Sequence, residues 1–257
     1  MKQLIVFEKP DIDGIIRLKD KDYNYLAAVR RVKEGQHIKI CMERNIFSTA
    51  LILKINSEKK YIDIKVLEHE FTDTNIDRPC IILMQWVLKG QHMDLAVRQT
   101  SEAGVKAIFP VLGEFSIIKT ENTNQTERRT RIIREARQQS GSLTETEIFP
   151  AAKLDETLDN VLQYTQDTNA VFLMLTEKVE KKFKSIFDHL KEKPKTVIMA
   201  VGAEGGISPK EEEFLKNNNF KPVHFNTNVL RAETAAIYSI ASVQTLLTEG
   251  SKWQSNV

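Results

Sequence analysis

The sequence predicts two domains of different class: a small β domain of about seventy residues, then a mainly parallel α/β domain of roughly 180. Three observations predict this. Short runs rich in Ile and Val, separated by polar segments, fill the first part. From Cys80 onward the apolar runs become continuous and alternate with helical patterns. Between the two lies a polar stretch closed by Pro79. A length of 257 residues suits one large domain or two ordinary ones, at roughly 150 residues per domain.

Taken in order, Gln3–Phe7, His37–Met42, Thr49–Ile55 and Tyr61–Leu67 read as strands, the last with partial alternation (Tyr61-Ile62-Asp63-Ile64-Lys65-Val66). Polar residues at Glu43–Asn45 and Asn56–Lys60 separate them, and one helical pattern, Asp22–Val32, stops before Gly35. Residues 1–72 thus form a small β-barrel or sheet, and residues 73–79 a linker. In residues 80–257, Ile81–Leu88, Ala107–Leu112, Ala170–Leu175 and Thr196–Val201 lack a polar face, as strands covered on both sides do. His92–Ala103, Thr126–Ser140, Val179–Leu190, Pro209–Asn217 and Thr234–Thr248 carry helical spacing, and Val223–Phe225 is a short last strand. This alternation makes a parallel sheet flanked by helices.

Composition bounds the chemistry. With 41% hydrophobic and 28% charged residues, the chain is globular rather than disordered. Lys and Arg number 37 against 35 Asp and Glu, so a nucleic-acid partner requires positive charge concentrated locally. Cys41 and Cys80 alone make neither a disulfide scaffold nor a four-ligand zinc site, and no HExxH occurs, so nothing points to a metal. The apolar run in MKQLIVFEKPD is too short for a signal peptide, and no stretch approaches roughly 18 uncharged apolar residues. The expectation is a cytoplasmic protein without membrane contact.

In open α/β sheets, ligands bind beyond the carboxyl ends of the strands. There, Thr196–Val201 runs into Gly202-Ala203-Glu204-Gly205-Gly206-Ile207-Ser208-Pro209, whose glycines allow positive φ and close approach of the backbone to a ligand. Ser208, Pro209 and Glu211 then spell a helix start: N-cap, N1 proline and capping-box glutamate. The spacing is not GxGxxG, and no Gly-Lys-Ser/Thr follows, which disfavours a Rossmann dehydrogenase and a P-loop NTPase. A second constellation, Asn226-Thr227-Asn228-Val229-Leu230-Arg231-Ala232-Glu233-Thr234-Ala235-Ala236, precedes the last helix. Asn226 and Asn228 tolerate left-handed turns, and its small residues permit close packing. Arg231 and Glu233 are either functional charges near the glycine loop or a surface ion pair.

Together these two segments resemble the RsmE family, bacterial methyltransferases of the SPOUT class that act on uridine N3 in small-subunit ribosomal RNA. The similarity continues in Val29-Arg30-Arg31-Val32-x-x-Gly35, Lys89-Gly90-Gln91-His92-Met93-Asp94, Ser101-Glu102-Ala103-Gly104-Val105 and Glu135-Ala136-x-x-Gln139-Ser140, over essentially the whole length. The resemblance implies a PUA-like RNA-binding β-barrel, a SPOUT α/β domain with a trefoil knot, and a homodimer. It also implies S-adenosyl-L-methionine as cofactor and 16S ribosomal RNA as substrate, the family target being U1498. By the same resemblance, Leu175, Thr176, Gly202, Glu204, Gly205, Asn226, Val229, Leu230, Arg231 and Thr234 surround the cofactor. Arg231 would donate to a uracil carbonyl as negative charge develops, or clamp a phosphate; Glu233 would be the general base, or orient Arg231.

Several positions depart from the family pattern. Ala203 replaces Pro, Asn226 and Asn228 replace Gly and Arg, Tyr25 replaces His, and Gln99, Phe115, Gln138 and Ser142 replace Lys, Arg, Glu and Arg. Either RNA docking is rearranged or the lost basic side chains are dispensable. The candidate phosphate contacts are Arg30, Arg31 and Lys33, and the row Arg128, Arg131, Arg134 and Arg137, which forms a slanting helical stripe. The alternatives there are a favourably charged helix end and a solvated basic surface. Two rival functions remain open: a SPOUT enzyme with another RNA target, and a non-catalytic RNA-binding assembly factor.

Overall fold

The computed structural model describes residues 4–6, 8–42, 46–70, 79–142, 144–178 and 185–249. They fall into two compact units, one within residues 1–76 plus 138–143, the other within 77–137 plus 144–257. Of the expected linker, all but Pro79 lies outside the described residues.

The first unit contains β1 (Leu4–Ile5), β2 (Ile15–Lys19), α1 (Asp20–Asn24), β3 (His37–Met42), β4 (Ile46–Asn56) and β5 (Tyr61–Glu70). They make one curled sheet in the order β1-β3-β4-β5-β2, with β1 parallel to β3 and the other pairs antiparallel. Among the described residues no pairing joins β1 to β2, so the expected barrel is an open half-barrel. Register shifts at Thr49/Ala50 and Ile52/Lys54 bend the long β4–β5 hairpin. Leu4, Ile16, Leu18, Leu26, Ile40, Ile52, Ile62 and Ile64 form the core of this unit.

Two elements differ from the sequence pattern. β2 is too short to show a period, but pairing with β5 fixes it, and the Arg17 guanidinium binds Asp63 through two hydrogen bonds of 2.7 and 2.8 Å. The helix expected over Asp22–Val32 starts at Asp20 and widens into a π-turn over Tyr25–Val29, where the Arg30 N–H donates to the Tyr25 carbonyl at 2.9 Å.

The second unit runs β6 (Cys80–Trp86), α2 (Gln91–Glu102), β7 (Ala107–Val111), α3 (Thr123–Ser140), β8 (Glu147–Ile148), α4 (Leu154–Thr165), β9 (Val171–Leu175), α5 (Ile186–Leu190), β10 (Thr196–Val201), α6 (Pro209–Asn217), β11 (Lys221–Val223) and α7 (Ala232–Thr248). The last residues of α3, from Gln138, group with the first unit. The sheet order is β11-β9-β10-β6-β7-β8, and every pair is parallel. All six residues of β10 are buried between β6 and β9, each fully covered aliphatic side chain contributing roughly 1.5–3 kcal/mol. α7 packs along α2 and across β6 and β10.

The sequence pattern leaves α4 and β8 unassigned. It also sets the last strand two residues late: Val223 pairs with Leu175 and ends β11, freeing Phe225 to pack edge-on against Tyr238 at 4.9 Å. Of the helix expected over Val179–Leu190, only α5 is described, and Lys181, Lys182 and Lys184 lie outside the described residues. No described helix is long and apolar enough to cross a membrane.

Candidate active site

β9, β10 and β11 lie on one side of the parallel sheet, and their carboxyl ends release loops after Leu175, Val201 and Val223. These loops and the start of α7 border a cleft of about 590 Å³, within the range of small-molecule sites. The glycine loop is shaped by its own backbone. A Cβ on Gly202 would lie 2.7 Å from the Gly206 carbonyl carbon and 2.9 Å from the Ile207 nitrogen, so no other residue fits there. Gly206 has φ +77° and donates its N–H to the Ala203 carbonyl at 2.9 Å, closing the turn. Gly205 lies against Phe115, whose Cβ would be 3.2 Å from an added methyl group.

The helix start that follows is the expected capping box: Glu211 N–H donates to Ser208 Oγ at 3.3 Å, and Ser208 N–H to Glu211 Oε2 at 2.9 Å. Glu211 does more than cap. Its Oε1 accepts from the Trp86 indole at 3.1 Å and from the Glu114 N–H at 2.9 Å, tying α6 to β6 and to the loop after β7. Buried Gln85 donates to the Val201 and Gly202 carbonyls, both at 3.3 Å, and so pins the root of the glycine loop. Glu204 Oε1 accepts from the Lys89 N–H at 3.0 Å, joining the loop tip to the segment that enters α2.

The opposite wall is formed by Phe225, residues 227–231 and the first turn of α7. Among the described residues, Asn228, Val229 and Leu230 make no hydrogen bond, so their backbone donors and acceptors remain available. Val229 is 78% exposed, while Leu230 packs against the core. Ala232, Ala235 and Ala236 are buried, as close packing of the helix start requires. Neither Asn226 nor Asn228 adopts positive φ; a run of bends makes the turn without left-handed geometry.

Charged groups complete the cleft. Lys178 and Lys216 both bind Glu212, at 2.9 and 2.6 Å, and Lys216 foremost holds that carboxyl below its ordinary value against the opposing effect of burial. His224 Nδ1 lies 3.1 Å from the Thr176 carbonyl. His92 Nδ1 lies 3.0 Å from Glu233 Oε1, so Glu233 is bound to α2. Arg231, at the N-cap of α7, is exposed; its carbonyl accepts from the Ala235 N–H at 2.8 Å, while its guanidinium has no hydrogen-bond or ion-pair partner among the described residues.

A family model described as RNA methyltransferase domain matches residues 77–244, and one described as RNA methyltransferase PUA domain matches residues 18–67. Ribosomal RNA small subunit methyltransferase E 2 of Borreliella burgdorferi is 30% identical over 253 residues, covering 97% of this chain and 99% of that protein. The chain belongs to this RNA methyltransferase family. The family's small subunit methyltransferase E of Aquifex aeolicus is 29% identical over 84% of this chain and 87% of its own length. The corresponding crystal structure from Neisseria gonorrhoeae, bound to S-adenosyl methionine, matches with a TM-score of 0.80 at 25% identity, over 96% of this chain and 98% of that one.

Of the cofactor positions implied by the family resemblance, Leu175, Thr176, Gly202, Glu204, Gly205, Val229, Leu230 and Arg231 line the cleft. Asn226 and Thr234 are exposed and do not. In the sequence His92 is only the first residue of a helical pattern, and nothing there singles out Lys178, Glu212, His224 or Phe225 for the cleft. Their approach depends on strand order, and the one local signal was the Lys89-Gly90-Gln91-His92 segment entering α2.

The arginine row is largely dismantled by its partners. Arg137 is buried with Glu145 at 3.2 Å, so it is not a surface phosphate contact. Arg128 pairs with Asp94 at 2.6 Å, and Arg134 is half-buried and has a partner. Arg131 is exposed without one among the described residues. In the first unit, Arg31 and Lys33 are exposed, whereas Arg30 is half-buried with its Nη1 covered and unsatisfied.

Proposed function

We propose that this chain is a cytoplasmic, homodimeric S-adenosyl-L-methionine-dependent methyltransferase acting on N3 of a uridine in 16S ribosomal RNA. The observation that carries the reading is the cleft beyond β9, β10 and β11. One wall is a glycine loop with no room for side chains at its root, and the other is a backbone segment with unused hydrogen-bonding groups. A nucleoside-containing cofactor fits this arrangement. Leu175, Ile207 and Leu230 offer apolar faces to an adenine, and the free backbone of Asn228–Leu230 offers groups to its edge. Glu204 and Glu177 supply negative charge for a sulfonium. When bound, that cofactor supplies an electrophilic methyl group.

The chain's own part is positioning and charge control. Holding two reactants in attack geometry accounts for much of the rate in such transfers. Arg231, unpaired at the lip of the cleft, donates to a uracil carbonyl as negative charge develops on the ring. Residues 1–72 form the RNA-binding module and residues 80–257 the catalytic one. Arg31, Lys33 and Arg131 are the exposed members of the predicted phosphate contacts. The second copy is what the family resemblance implies.

The decisive assay uses purified full-length protein, S-adenosylmethionine with an isotopically labelled methyl group, and small subunits from a strain lacking its gene. Mass mapping should find label as 3-methyluridine at one position of the 16S RNA. Label on a ribose or another base would reassign the substrate, and no label at all would leave an RNA-binding factor.

A further inference from the structure

The cleft contains a pair of groups that the reading above does not use. His92, in the first turn of α2, and Glu233, in the first turn of α7, are 141 residues apart and meet at 3.0 Å through Nδ1 and Oε1. Their exposures differ sharply: the His92 side chain is 45% exposed and that of Glu233 is 7%. Both line the cleft. A carboxylate can only accept, so the shared proton sits on Nδ1, and the neutral imidazole carries its lone pair on Nε2. That nitrogen has no partner among the described residues. A covered carboxylate behind an exposed imidazole is the arrangement that orients a general base and stabilises the imidazolium it becomes.

The geometry points to His92 as the group that takes the uridine N3 proton, with Glu233 as its positioning residue; this inference rests on the methyl transfer proposed above. N3 forms its new bond to the methyl carbon with its own electron pair, the carbon–sulfur pair stays on sulfur, and the N3 proton passes to His92 Nε2. Solvent then removes that proton from the exposed ring. Glu233 cannot serve directly, because its Oε1 is held by His92 and its side chain is nearly covered. His224 also lines the cleft, but its Nδ1 faces the Thr176 carbonyl, and among the described residues no carboxylate is bonded to it. The charged groups sharing the cleft with His92 are Glu233 and Arg231 on the α7 side, Glu204 on the glycine loop, and Glu177 and Lys178 after β9, with Glu212 already bound by Lys178 and Lys216. A proton already on Nε2 leaves no acceptor, so transfer slows in acid.

Two measurements on the full-length protein test this. In the cofactor-free protein, nitrogen-15 NMR of the His92 ring should show the tautomer protonated on Nδ1; a ring protonated on Nε2 would overturn the assignment. Single-turnover methylation should fall roughly 10²–10⁴-fold in His92→Gln and lose the acid limb of its pH profile, with S-adenosylmethionine affinity by calorimetry unchanged. Gln retains a donor for Glu233, so the fold is kept, and Glu233→Gln should lose less because it can still accept from Nδ1. A His92→Gln protein with the wild-type rate, or with a lowered rate but an unaltered profile, would overturn the inference while leaving the proposed function intact. A wild-type protein that transfers no methyl group would sink both.

Discussion

The glycine loop after β10 and helix α3 solve opposite problems. In the loop, functional shape is made chiefly by backbone: Gly202 nearly touches Gly206 and Ile207, and Gly206 turns with positive φ, while the Gln85 side chain anchors the root. On α3, positive charge is abundant but turned to structure, since Arg128, Arg129 and Arg137 each meet a carboxylate, in Asp94, Glu121 and Glu145. A backbone requirement is local and tolerates no substitution. The availability of a charge is decided by distant partners, so two arginines on one helix can have unrelated roles.

That contrast can be tested from its strongest consequence downward. Arg129 and Glu121 are paired with side-chain exposures of 6% and 2%. Arg129→Ala should therefore cost about 3–5 kcal/mol by stranding a buried carboxylate, read from the denaturant midpoint, and any change in RNA affinity should follow only from unfolding. A loss of RNA affinity in a stable protein would return Arg129 to the RNA face. Gly202→Val should cost about 1–3 kcal/mol through overpacking and abolish S-adenosylmethionine binding by calorimetry, because the loop cannot close over a side chain. Retained affinity would move the cofactor elsewhere. Arg131→Glu should shift stability by no more than about 0.5 kcal/mol, yet weaken RNA binding and reduce the slope of log affinity against log salt by about one or more. Unchanged RNA affinity would make Arg131 a solvated surface residue.

What could be read from the sequence follows the same division. Continuous apolar runs placed the central strands of the parallel sheet, and Ser208, Pro209 and Glu211 placed the start of α6, because burial on both faces and capping are local signals. Pairing partners decided the rest. β2 exists because β5 binds it, β11 ends where Leu175 meets Val223, and the half-barrel is open because no pairing joins the edge strands β1 and β2 among the described residues. In the site, the glycines marked the cleft, but His92 reaches it through the packing of α2 against α7. Spacing within one helix could not show that Glu233 faces a histidine rather than Arg231.

The central claim is that cofactor binding rests on the backbone of two loops. Hydrogen exchange on the full-length protein, with and without saturating S-adenosylmethionine, tests it without any substitution. The amides of Asn228–Leu230, which have no partner among the described residues, and those of Glu204 and Gly205 should become protected. Unaltered exchange in both loops, with protection appearing elsewhere or nowhere, would contradict it.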